Sequence, residues 1–82
     1  MDKEILIFGR IKCTACEAAK RDLTAEDIPY SYIDCDKSQD TAIRHNILSV
    51  PTIKVMRGAK TLHAEVGWNK RIMDRLLRMY RE

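Results

Sequence analysis

The chain has 82 residues, 45% apolar and 33% charged, with a formal net charge of +3; a length that buries only about 60–65% of the unfolded surface predicts a single domain over residues 1–82. Charges of both signs on an apolar base exclude the disordered and fibrous classes, and no apolar run approaches the roughly 20 residues of a membrane span. The opening "MDKEILIFGR" puts acids before a short apolar stretch, unlike a secretory signal, so a cytoplasmic protein in a thiol-reducing compartment, without membrane attachment, is expected.

Ile5 to Phe8 form a continuous apolar run, which suits a central strand buried on both faces. From Thr14 the period becomes helical, with Ala15, Ala19 and Leu23 set against Lys20, Arg21 and Asp22. Thr14 and Glu17 have capping-box spacing, which predicts a helix starting at Thr14. Pro29 ends the connection, and a second strand is expected over Tyr30 to Ile33. Strand, helix and strand within about 30 residues is the span of a parallel crossover unit.

Asp36 with Gln39 can cap a short second helix carrying Ala42, Ile43 and Ile47 inward, with Asn46 as its left-handed terminator. Thr52 to Met56 alternates, Gly58 turns the chain, and Leu62, Ala64 and Val66 alternate back with His63 facing water. This predicts an antiparallel hairpin. Asn69 can cap the last helix, with Trp68 and Met73 as a hydrophobic staple and Ile72, Leu76, Met79 and Tyr80 as its inner stripe. The resulting class is α/β in the order βαβ-α-ββα: a mixed four-stranded sheet flanked by helices on both faces.

That last helix belongs to a segment, Lys70 to Glu82, with five bases against two acids. Arg71, Arg75 and Arg78 share one side of it and could meet phosphate or an acidic protein, but cations near a helix C-terminus are also stabilising in their own right. No aromatic residues interleave with them as single-strand binding requires. A solvated face on a monomer is expected, with no nucleic-acid partner.

Cys13 and Cys16, three positions apart, carry the chemistry, and three readings compete. A structural zinc site needs four ligands, usually as two local pairs; here Cys35, His45 and His63 are isolated. A staple closing so small a loop stabilises little. A redox couple needs an exposed thiolate, a second thiol within reach and a device that lowers the first pKa. The strand-to-helix junction supplies all three, because Cys13 would face the unpaired N–H groups and positive dipole end of the helix. Arg10 and Lys12 add positive charge and Glu17 opposes it, each exposed pair being worth about 0–1 kcal/mol. In that reading Cys13 attacks and Cys16 resolves by thiol–disulfide exchange. Cys35 reads as a packed bystander at the end of the second strand.

The segment "ILIFGRIKCTACEAAKRDL" resembles the first strand and active-site helix of glutaredoxins, and "SVPTIKV" resembles the Val-Pro segment they share with thioredoxins. The chain is thus similar throughout to the thioredoxin-fold superfamily: its first half looks like a glutaredoxin, its second like a thioredoxin. The resemblance implies a thioredoxin-like fold and a protein-disulfide reductase. It further implies that Val50–Pro51 is a cis peptide facing the cysteines and that the Val50 backbone pairs with substrate. Arg10, Lys12, Thr14, Ala15 and Gly67 complete the implied substrate site. The implied clients are disulfide-containing proteins, ribonucleotide reductase among them, with electrons from a flavin- or ferredoxin-linked reductase or from glutathione as co-substrate. No bound cofactor is implied.

Thr14-Ala15 replaces the Pro-Tyr typical of glutaredoxins and the Gly-Pro typical of thioredoxins, and Ile7 lies where thioredoxins bury an acid. Gly67-Trp68-Asn69-Lys70 stands where glutaredoxins hold glutathione with Gly-Gly and a nearby Asp. The resemblance therefore leaves the electron donor open.

Overall fold

A computed structural model describes residues 2–82. Four strands, β1 (Lys3–Gly9), β2 (Ser31–Asp34), β3 (Thr52–Arg57) and β4 (Lys60–Val66), form one mixed sheet in the order β2-β1-β3-β4. β1 is interior, parallel to β2 and antiparallel to β3, which is why its run from Ile5 to Phe8 is apolar at every position. β3 and β4 form the predicted hairpin around Gly58, whose φ of +58° suits a residue without a Cβ.

Helices α1 (Thr14–Ala25) and α3 (Lys70–Arg81) cover one face, and α2 (Gln39–Arg44) lies on the other. Ile5 and Ile7 of β1 and Ile53 and Val55 of β3 meet Ala19 and Leu23 of α1 and Leu76 and Leu77 of α3 in the main core. Phe8, next along β1, points the other way and packs against His45, the residue capping α2, with ring centroids 4.9 Å apart and the planes tilted by 46°. The α3 cap is as predicted, Asn69 accepting from the Ile72 amide at 2.8 Å. The inner stripe of α3 gains one member: Leu77 is buried with Ile72 and Leu76, and Met79 and Tyr80, half-buried, pack against the core as expected.

Three expectations fail. Asp36 does not cap α2, whose N-cap is Ser38 with no side-chain capping bond. Ile43 does not point inward but is 75% exposed, because α2 has only six residues and too little length to turn a full apolar face onto the sheet. The inward set of β4 is also displaced. A register irregularity between Val55 and Met56 pairs Val55 with His63 and Met56 with Thr61, leaving Leu62 as the extra residue. Leu62 still packs on the core, but beyond it the parity inverts. Ala64 and Val66 are exposed, while His63 and Glu65 are partly covered beside α3. Glu65 there receives two hydrogen bonds from Arg75, at 2.8 and 2.9 Å, so one arginine of the basic stripe fastens α3 to the sheet edge.

Candidate active site

β1 delivers the chain from Gly9 into residues 10–13, and the turn is made by Lys12, which adopts left-handed backbone with φ of 60°. Cys13 follows in extended conformation and is the N-cap of α1. Its Sγ accepts from the Cys16 amide at 3.2 Å and its carbonyl from the Glu17 amide at 3.0 Å. A sulfur therefore fills the place an oxygen of Ser, Thr, Asp or Asn takes at most helix starts. The cap moves one residue from the predicted one: Thr14 is the first helical residue, because the Cys13 sulfur already supplies the acceptor.

Cys13 is half-buried and Cys16 is fully buried, and a disulfide joins them with their Cα atoms 5.2 Å apart. That spacing lies within the range of about 4.4–6.8 Å usual for disulfides. The geometry puts the more accessible sulfur at the positive end of the helix and the shielded one a turn behind it.

Of the charges around the pair, two are engaged. Arg10 Nε lies 3.4 Å from Asp36 Oδ1, and Glu17 Oε2 lies 2.9 Å from Lys20 Nζ. Each pair is partly exposed and so modest in energy.

The Val50–Pro51 peptide is cis. Its loop is held from both strands of the hairpin: Thr52 Oγ1 donates to the Ser49 carbonyl at 2.7 Å, and the Gly67 amide donates to the Pro51 carbonyl at 2.8 Å. Gly67 sits at φ +93°, a conformation that keeps the position for glycine. Arg10 and Val50 share the lining of one open cavity of about 230 Å³ with Cys35, Ala42, Ile43 and Leu48. Leu48 at 88% exposed, Ile43 at 75% and Ile11 at 69% are the large apolar side chains most open to solvent. Thr14, Ala15 and Lys12 lie in the first turn of α1 and the turn before it. The site residues expected from the sequence thus fall into three groups: Arg10 with Val50 at the cavity, Gly67 tied to Pro51, and Lys12, Thr14 and Ala15 beside the cysteines along the chain.

Cys35 is free and buried, its amide donating to the Gly9 carbonyl at 2.8 Å. Burial pushes its thiol up, which disfavours the thiolate. Burial, followed by the nearby Lys54 and Arg44, pushes the His45 ring down, and His63 pairs with Glu65 at 2.7 Å. Among the described residues, no three or more His, Cys, Asp or Glu side chains gather as a metal site would need.

One cluster escaped the sequence reading. Tyr32 of β2 donates from its hydroxyl to the Arg10 carbonyl at 3.0 Å, and Lys20 Nζ lies 4.3 Å from the centre of its ring. A Cβ on Gly9 would fall 2.8 Å from Cys16 Sγ and collide with the Tyr32 hydroxyl. The available signals were weak: a glycine ending a buried strand, and a lysine four residues after Cys16 on the same helix face.

No family model matches the sequence, and no curated protein matches it. Solved structures do. A thioredoxin h from Nicotiana alata superimposes with a TM-score of 0.83 at 21% identity, over 99% of this chain and 75% of that one. A Plasmodium falciparum thioredoxin gives 0.82 at 20% identity, over 96% and 71%. Spinach chloroplast thioredoxin f, in its long form, gives 0.83 at 17% identity, over 99% and 72%.

Proposed function

From a chain with the thioredoxin fold, we propose a thiol–disulfide oxidoreductase that reduces protein disulfides with the Cys13–Cys16 dithiol. The observation that carries this reading is the sulfur cap on α1. Cys13 is the accessible member of a disulfide and also accepts a backbone hydrogen bond at the positive end of a helix. That setting favours a thiolate over a thiol at neutral pH.

In the reduced protein the Cys13 thiolate attacks one sulfur of a client disulfide and expels the other client sulfur as thiolate. Cys16 then loses its proton and attacks Cys13 Sγ, releasing the second client sulfur with the electron pair of the broken bond. Two electrons pass to the client, and Cys13 and Cys16 end as the disulfide seen here. No cofactor is required, because the dithiol itself carries the electrons.

Clients dock along the cis Val50–Pro51 loop, with the Val50 backbone pairing as an added strand. Arg10, Lys12, Thr14, Ala15 and Gly67 surround the client chain, and apolar Leu48 and Ile11 supply contact area. Reduction of the disulfide is assigned to a thioredoxin-type reductase or to glutathione, in a cytoplasmic, reducing setting. Glutathione as donor makes the protein glutaredoxin-like in use, in keeping with the resemblance of its first half. Ribonucleotide reductase is a client class consistent with such a donor of electrons.

Insulin reduction driven by dithiothreitol tests the activity. The wild-type protein is expected to accelerate it and Cys13→Ser to abolish the acceleration. A Cys13→Ser protein as active as wild type would refute the reading. Coupling oxidised protein separately to thioredoxin reductase and to glutathione with its reductase then identifies the donor.

A further inference from the structure

Cys16 raises a chemical problem that the helix terminus does not solve. It is fully buried, yet its thiol must lose a proton before it can attack. The first-turn amide that faces sulfur is directed at Cys13, through the Cys16 N–H. Ile7, on the adjacent strand, cannot accept a proton.

The polar group that shares the space beside Gly9 with Cys16 comes from β2. Gly9 has no side chain, and the space a Cβ would fill is bordered by Cys16 Sγ at 2.8 Å and by Tyr32 Cζ at 2.8 Å, with the hydroxyl alongside. Sulfur and phenol thus form the walls of one narrow gap. Lys20 lies over the Tyr32 ring at 4.3 Å and is bridged to Glu17.

We propose that Tyr32 is a positioning residue for the resolving step, its hydroxyl turning from the Arg10 carbonyl to donate to the Cys16 thiolate. The hydroxyl rests on the Arg10 carbonyl while the disulfide is closed, so the resolving step requires it to swing towards the sulfur across the space beside Gly9. Burial, the main influence on this phenol, holds it protonated, with Lys20 opposing; it is therefore a donor and not a base at neutral pH. The Cys16 proton passes towards the departing client sulfur, and the Cys16 thiolate forms its bond to Cys13 Sγ. The client sulfur departs with the electrons of the old bond and takes up a proton. The other charged or titratable groups facing this corner are Lys20 and Glu17 from α1, Arg10 from the loop, and Asp34 and Cys35 from β2 and its end. Among them Lys20 favours an anion, and Glu17, Asp34 and Cys35 oppose it.

The inference rests on the redox reading above, and the experiment separates the two. Reduced protein is mixed rapidly with 5,5′-dithiobis(2-nitrobenzoate) from pH 6 to 9, in a Cys35→Ser background so that two thiols remain. Attack by Cys13 releases a first thionitrobenzoate, and resolution by Cys16 releases a second.

Tyr32→Phe, which keeps the ring, is expected to leave the first rate within about twofold. It should slow the second about tenfold at pH 7 and move its pH midpoint up by about one unit, the two being the same free energy. Lys20→Gln, on the helix surface, is expected to shift the second step in the same direction, and it serves as the test if Tyr32→Phe fails to fold. An unchanged second step in the folded variant, or equal slowing of both steps, would overturn the role assigned to Tyr32. A wild-type protein that releases no second equivalent would refute the redox reading itself, and the inference with it.

Discussion

Replacing Gly9 with alanine puts one carbon into the gap between Cys16 and Tyr32. The new Cβ would stand 2.8 Å from Cys16 Sγ, where carbon and sulfur prefer about 3.5–4 Å, so something must retreat by about 1 Å. Cys16 is fully buried and fixed in the first turn of α1, whereas Tyr32 is half-buried. The ring therefore moves outward and loses its hydrogen bond to Arg10, worth about 1 kcal/mol. Residual overpacking around the sulfur brings the total to about 2–3 kcal/mol. For a domain of this size that is a fall in Tm of about 8–24 °C.

Gly58→Ala is the control. Its Cβ meets nothing within 4 Å, and only the positive φ opposes it, at a cost of about 1–2 kcal/mol. Calorimetric melts of both oxidised variants should show Gly9→Ala losing more. A Gly9→Ala Tm within about 2 °C of wild type, or a larger loss at Gly58, would refute the steric reasoning.

The remaining expectations concern the cap, the sheet edge and the helix that covers it. Alkylation of Cys13 against pH should titrate well below the ordinary thiol value of about 8.5; a midpoint at that value, or Cys16 reacting first, would remove the sulfur-cap argument. Arg75, with His63 in support and burial opposing, holds the Glu65 carboxyl down to about 2 from 4.5. Because the folded value is the lower one, the stabilisation is complete above pH 4.5 and is lost as pH falls from there towards 2. Discounted for the exposure of Arg75, it amounts to about 1–2 kcal/mol. Glu65→Gln should therefore lose that much in urea melts at pH 7 and less at pH 3. Asn69→Ala removes the cap on α3 and should cost about 1 kcal/mol in the same melts, with no change in the alkylation of Cys13.

Much of this was legible because local and global signals agreed. The apolar run of β1 could only be interior, Asn69 could only cap, and two cysteines at a strand-to-helix junction could only lie at the start of the helix. What was hidden depended on a residue out of step with its pattern. One extra residue at Leu62 inverted the parity of β4, and alternation alone cannot register an insertion. Ile43 was expected inside because capping and periodicity say nothing about whether a helix is long enough to cover its face. Tyr32 was missed because its meeting with Cys16 depends on the emptiness of Gly9, a third residue on a different strand.

The Cys13 sulfur has two occupations, and they cannot be separated. As long as it caps α1, the electron density at that atom is shared with the amide of Cys16, so every passage between thiolate, mixed disulfide and closed disulfide changes the acceptor seen by one backbone proton. That proton is a built-in gauge. Its NMR frequency and its exchange with deuterium would follow the oxidation state of the protein, without any label near the sulfurs. A serine cap would hold the helix equally well and would report nothing.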